Sequence, residues 1–333
     1  MSIDIMHTVI QATHRRQHGM TLIETMVAMT ISSVLILGSI QMHAQARSSY
    51  RTTESVARMQ ENLRFSIDIL DEDVRLAGYW GKSSSANAEL RNGETVTVTC
   101  NGTNSTAWVL DTEVPNNNLI NPISALQQES DLPIANCRGT NPRINSDVLI
   151  VRHATTDQAV VARAGVIQIQ TNGRLGAFFD NGIPPEDAKV NGQIFDLAFS
   201  AYYVSNESKY DSNLPSLRRL SLVNNQLENQ EIIPGVENLQ VQFGIDRTGD
   251  GTIDMYINGD AVLDGDTIIS TRLWLLVRSE QNEAGQGYFD AREYLTPDAG
   301  LPVIDPKNDT ANYPPTSRRT ALSRTIVMRN HVN

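Results

Sequence analysis

The chain is poor in the residues that most catalysts and nucleic-acid binders depend on. Among 333 residues there are six histidines and two cysteines. His153 is the only histidine between residues 44 and 330, and it follows an expected strand, which suits an edge or surface position better than a general base. The sequence contains no Gly-x-Ser-x-Gly, His-Glu-x-x-His, Walker loop or dinucleotide fingerprint. An enzyme is therefore not expected, and a membrane-anchored periplasmic enzyme is only a remote alternative. Acidic residues outnumber basic ones, 38 to 27, for a formal charge of −11. Without a basic excess no nucleic-acid partner is expected, and the balance favours a soluble exported domain.

Charge is also missing locally. From Met20 to Ile40 the only charged residue in twenty-one is Glu24. As a helix this run spans roughly 30 Å, the thickness of a bilayer's hydrocarbon core. Arg15 and Arg16 precede it, with His14 and His18 beside them, so the N-terminal side should stay in the cytoplasm while the remainder is exported. An ordinary secretory signal carries its small residues after the apolar segment. Here Gly19 lies before it. A carboxylate five residues into a membrane helix is costly without a partner and reads as functional; the bland alternative is a plain anchor with a chance Gly and Glu.

Helix breakers are absent next. Neither Gly nor Pro occurs between Gly38 and Gly78. Val56, Met59, Leu63, Ile67, Leu70 and Val74 follow steps of three and four and fall on one face. Glu54 and Arg58, and Asp71 and Arg75, are spaced to pair on the exposed side. One helix from Met20 to about Ala77, about 87 Å long, is expected to end at Gly78. Its 20–43 half would lie in lipid and its 44–78 half would pack on the following domain, a sheet being a better partner than a coiled coil for so short a stripe.

Beyond Tyr79 the pattern is β. Strands are expected at Thr95–Cys100, Asp147–Arg152, Ile194–Val204, Leu217–Val223, Leu239–Ile245, Ile268–Arg278 and Thr325–Arg329, with loops at 101–146, 205–216 and 279–320. Successive strands without helical crossovers make a largely antiparallel sheet, so the fold class is α+β. A split near Asn181-Gly182-Ile183-Pro184-Pro185 is a candidate boundary. Phe195, Phe199, Tyr202, Tyr203 and Trp274 are expected in the core, and Arg318-Arg319 in a solvated loop or a partner contact. Cys100 and Cys137 follow the membrane segment, and in an oxidising compartment they would be expected to bond, stabilising the domain by roughly 4 kcal/mol. Two buried thiols are the alternative; a zinc site is disfavoured because no histidines cluster nearby.

The most specific motif in the exported part is Asp246-Arg247-Thr248-Gly249-Asp250-Gly251-Thr252-Ile253-Asp254. Asp246, Thr248, Asp250, the Thr252 carbonyl and Asp254 occupy the spacing of a calcium loop, and Gly251 allows its sharp turn. Thr248 stands where Asp or Asn is usual, and Ile257 where a bidentate Glu is usual. Calcium, held weakly, is one reading; an Asp/Gly hairpin is the other.

Gly19, an apolar residue after it, and Glu24 at the fifth position of the new chain together resemble the type III signal of prepilins. The resemblance implies cleavage by a prepilin peptidase between Gly19 and Met20, which makes residues 1–19 the leader, and N-methylation of Met20. It also implies a role for Glu24 in attracting the N-terminal amine of a neighbouring subunit. Three stretches resemble the PilW family of minor pilins: Glu61–Phe65 through Asp73–Gly81, Gly235–Asp246, and the closing strand with Arg329-Asn330. The family implies a long N-terminal helix packed on a β domain spanning 79–333, and a structural role without turnover. It implies an inner-membrane subunit with a periplasmic domain that later reaches the pilus and cell surface. Implied partners are other minor pilins, the major pilin, a PilY-type tip adhesin and the inner-membrane assembly platform. The resemblance extends to the J-type minor pseudopilins of type II secretion, which are the runner-up.

Overall fold

The computed structural model describes residues 19–82, 88–90, 96–100, 102–111, 122–126, 141–173, 175–185, 192–263, 265–280 and 287–332. The chain forms two compact units, Met1–Thr53 and Glu54–Asn333. Helix α1 (Leu22–Leu76) contributes to both. In the first unit α1 has no buried side chain, and it contains a window long and apolar enough to cross a membrane. Leu22, Ile23, Val34, Leu35 and Leu37 are all exposed.

In the second unit α1 is buried on the face that the three-and-four spacing marks. Met59, Leu63, Ile67, Leu70 and Val74 are in the core and Val56 is half-buried. The pairs Glu54–Arg58 and Asp71–Arg75 form on the outer side. The helix ends at Gly78, whose φ of +74° is a left-handed conformation that favours glycine.

The strands are β1 (Ala88–Glu89), β2 (Thr99–Cys100), β3 (Thr103–Asn104), β4 (Ile123–Leu126), β5 (Val148–Gln158), β6 (Ala164–Thr171) and β7 (Gly176–Asn181). They continue with β8 (Gln193–Ser205), β9 (Ser216–Val223), β10 (Gln226–Pro234), β11 (Val236–Asp246), β12 (Met255–Asn258), β13 (Thr267–Arg278) and β14 (Arg319–Val332). A short helix, α2 (Thr106–Leu110), follows β3. Among the described residues they make two sheets. The larger runs β1-β7-β6-β8-β9-β10-β2-β3, with β5 also on β8 and β4 on β5; the smaller runs β12-β11-β13-β14. All pairs are antiparallel except β1 with β7 and β2 with β10.

The buried face of α1 shares one core with both sheets: Leu149, Val151, Tyr202 and Val204 from the larger, and Leu239, Val241, Leu273, Leu275 and Ile326 from the smaller. A second core on the larger sheet gathers Trp80, Val98, Leu110, Phe178, Phe199 and Tyr203. A third packs Trp274 and Leu276 of β13 beneath Tyr294, Ile304 and Tyr313. Every residue of β11 is buried.

Several expectations need correction. The strand over Thr95–Cys100 is reduced to Thr99–Cys100; Val96 and Val98 are buried without joining a ladder, and Thr95 lies outside the described residues. The expected loop at 101–146 contains β3, α2 and β4. Residue 181 closes β7, inside the larger sheet, so the chain does not divide there. His153 is buried in β5, between β4 and β8, rather than at an edge. Arg319 is buried in β14, because two carboxylates meet it there. Phe195, Phe199, Tyr202, Tyr203 and Trp274 are core residues.

Candidate functional site

Helix α1 begins immediately after Thr21, and the residue three places on is Glu24. Thr21 Oγ1 accepts from the Glu24 N–H at 3.4 Å, and Glu24 Oε2 accepts from the Thr21 N–H at 3.4 Å. This is a capping box: each side chain satisfies a backbone donor that the first helical turn leaves open. The carboxylate that the sequence marks as costly in lipid thus has a local partner in the single chain. Gly19 and Met20 precede the helix in exposed, irregular backbone, the conformation a protease needs; residues 1–18 lie outside the described residues.

The C-terminal half of α1 is tied to the sheets by polar groups at three levels. Asn62 donates to the Pro234 carbonyl and to Glu280 Oε1, both at 3.3 Å. Asp73 accepts from the Tyr202 hydroxyl at 2.6 Å, and His153 Nε2 lies 3.8 Å from its other oxygen. Burial works against the Asp73 charge, but hydrogen bonds from His153, Tyr202 and Ser200 outweigh it and hold its pKa below the ordinary value. At the helix end Asn330 donates to the Ala77 carbonyl at 3.3 Å. That contact gives a physical role to one of the residues carrying the family resemblance. The sequence offered no signal for the Asp73–Tyr202–His153 cluster, whose members are separated by more than one element.

The five residues of the Asp/Gly loop do not converge as a set. Thr248 Oγ1 lies 3.3 Å from Asp246 Oδ1 and 3.4 Å from Asp254 Oδ1, so positions one, three and nine meet at its hydroxyl. Asp250 instead accepts from the Thr252 N–H and hydroxyl at 2.8 and 2.7 Å. Asp246 also receives the amides of Gly249 and Gly251, at 2.6 and 2.7 Å, and Asp254 those of Arg247 and Thr248. The Gly251 amide is the main reason the Asp246 carboxyl sits below its usual range. Asp266 is engaged by Arg247 through two hydrogen bonds, Asp260 lies in the turn Gly259–Ala261, and Asp264 lies outside the described residues. Among the described residues no group of three or more His, Cys, Asp or Glu side chains is placed to hold a metal ion.

A charged cluster lies buried behind the loop's sheet. Glu237 of β11 is fully buried and takes two hydrogen bonds from Arg319, at 2.6 and 3.0 Å, and one from Arg278 at 3.4 Å. Arg319 also reaches Asp290 Oδ2 at 3.3 Å and the carbonyls of Pro314 and Ser317. The cluster therefore pins the 287–318 segment over β11, β13 and β14. In the larger sheet Arg152 is buried, held by the carbonyls of Val109 and Trp108 and by Ser124. Burial lowers its pKa to about 10. Cys100 is buried in β2, and Cys137, its expected partner, lies outside the described residues.

Residues 201–330 match the family model described as Type IV Pilus-assembly protein W, and residues 14–40 match the one described as Prokaryotic N-terminal methylation motif. No curated protein and no solved structure matches the chain. The first match covers the end of β8 through β14 and holds the Asp/Gly loop, the Glu237–Arg319 cluster and Asn330. The second covers Gly19, Met20 and the Thr21–Glu24 capping box. With a prepilin-type motif opening an apolar helix and a PilW match over residues 201–330, the chain is similar to the PilW family and is a component of a type IV pilus system.

Proposed function

We propose that the chain is a minor pilin that helps to prime assembly of the type IV pilus and takes a position at its tip. The observation that carries this reading is the pairing of a prepilin-type motif on a wholly exposed apolar helix with a domain that runs from Glu54 to Asn333. So large a domain is hard to repeat along a slender filament, and a priming or tip position avoids that crowding. Before assembly the apolar half of α1 anchors the subunit in the inner membrane, with its N-terminus cytoplasmic and its domain periplasmic. Prepilin peptidase cuts between Gly19 and Met20, and Met20 is methylated. The capping box supports a two-step use of Glu24: it steadies the first turn of the lone subunit, then exchanges Thr21 for the amine of a neighbour. Other minor pilins, the major pilin, the assembly platform and a PilY-type adhesin are the partners this role calls for. The role requires no turnover. Calcium is the ion we assign to the Asp246–Asp254 loop, entering where Thr248 joins Asp246 to Asp254.

A clean deletion, scored for surface pili, twitching and exoenzyme secretion, tests the proposal. Loss of pili with intact secretion is the expected result. Intact pili with blocked secretion would refute it and move the chain to the type II pseudopilins.

A further inference from the structure

The stretch from Gln41 to Thr53, just past the apolar run, contains no acidic residue although the chain as a whole carries a charge of −11. Its cations are Arg47 and Arg51, with His43 one turn before. His43, Arg47, Tyr50 and Arg51 share one face of α1, spaced three and four apart, and frame a shallow open cleft with Ala46. All four are exposed, and neither arginine forms an ion pair with any described residue.

Depth decides what this face meets. At ~1.5 Å per residue, Arg47 lies roughly 10 Å and Arg51 roughly 16 Å beyond Ile40, where the apolar run ends. The headgroup layer occupies about 5–7 Å outside the hydrocarbon. Side chains on a helix tilt toward its N-terminus, which here is toward the membrane. Arg47 can therefore extend its apolar stem down the helix and set its guanidinium at phosphate depth, while Arg51, one turn further out, stays within a Debye length of the phosphates. Tyr50 has the amphipathic ring of an interfacial anchor on the same face.

We propose that His43, Arg47, Tyr50 and Arg51 form a docking face for anionic lipid headgroups, with the Arg47 guanidinium on a lipid phosphate and the Arg51 charge just above it. The inference rests on the membrane orientation proposed above. Each arginine near an anionic surface contributes about fivefold to the preference for acidic over neutral lipid. The face holds the lone subunit at a fixed depth, and it must let go of its lipid before the helix can leave the bilayer.

The test uses the full chain reconstituted into vesicles of phosphatidylcholine alone or mixed with phosphatidylglycerol. Carbonate extraction first reports whether the chain is inserted; an extractable chain would sink the membrane reading itself. Inserted protein is then released into mild detergent, and retained lipid is counted by native mass spectrometry. The expected result is preferential retention of phosphatidylglycerol, falling about fivefold in Arg47→Gln and further in the double variant with Arg51→Gln, with insertion unchanged. Equal retention of the two lipids, or a double variant that retains phosphatidylglycerol like the parent, would overturn the proposal. So would a double variant that loses pili in cells with its lipid retention intact, because the face would then serve a neighbouring subunit.

Discussion

Replacing Asp147 by Asn should make the folded domain more stable, and increasingly so as the pH rises from 4 to 8. Asp147 stands where the two sheets meet. Its amide donates to the Leu239 carbonyl at 2.8 Å and its Oδ2 accepts from the Val241 N–H at 2.7 Å, both on β11. Oδ1 is buried with no hydrogen-bond partner among the described residues. Burial, reinforced by the negative charges of Asp298 and Asp260 and only partly offset by the Val241 amide, raises this carboxyl from 3.8 to about 8. At pH 7 the folded chain therefore holds a proton that the unfolded chain has released. Protonation supports the fold fully below the unfolded pKa, and that support is lost as pH climbs toward the folded one. At ~1.4 kcal/mol per unit, the interval from the ordinary value to neutrality amounts to roughly 4 kcal/mol. Asn keeps the acceptor for Val241 and never ionises. Urea unfolding of a soluble fragment beginning at Glu54, followed through the buried Trp80 and Trp274, gives the stability of both forms. The two should agree near pH 4 and separate by about 1.4 kcal/mol per unit above it. Parallel pH profiles for parent and variant would refute the reasoning.

Gly19→Ala should accumulate full-length precursor on immunoblots; normal processing would count against a prepilin signal. Arg319→Ala should destabilise the domain by about 3–5 kcal/mol in the same unfolding assay, because it leaves Glu237 buried with only Arg278 beside it. Tyr202→Phe should cost about 1.5–3 kcal/mol, the worth of a hydrogen bond to a charged acceptor, since it removes the 2.6 Å donor to Asp73. Millimolar calcium should raise the melting temperature of the domain, and Asp254→Ala, which removes one of the two carboxylates at Thr248, should abolish the rise; an unchanged melting curve would leave the loop as a hairpin held by its own amides.

Strong periodicity made the main elements legible. The six-residue stripe from Val56 to Val74 identifies the helix face that the structure buries, and Gly78 marks its end. The long strands β5, β8, β9, β11, β13 and β14 all begin or end within a few residues of their apolar runs, apart from β14, which starts six residues early. That extension was hidden because Arg319-Thr320 reads as solvated loop until Glu237 and Asp290 are seen across from it. Strands β6, β7 and β10 were missed for separate reasons. β6 opens with Ala164-Gly165, β7 is short and bounded by glycines, and β10 is mostly polar because one of its faces is exposed. The hairpin joining β9 to β10 did carry a signal: Asn224 and Asn225 both take left-handed φ, as a two-residue turn requires. The loop motif fixed where the Asp residues fall along the chain but not where their oxygens turn, and Asp250 turns to Thr252. The Asp73–Tyr202–His153 cluster was invisible, because it exists only once helix and sheet have packed.

The three polar ties on α1 give the domain a mechanical character. Asn62, Asp73 and Asn330 grip the helix near the start, the middle of its last turns and the end of its packed length. A pull along the helix axis would load these ties in shear together with the side chains seated between them. Such bonds share the force instead of opening one after another, as the rungs of a peeled hairpin would. Because the same core holds both sheets, tension delivered through α1 would press on the whole β domain at once, and the domain would be expected to yield abruptly, as a single body.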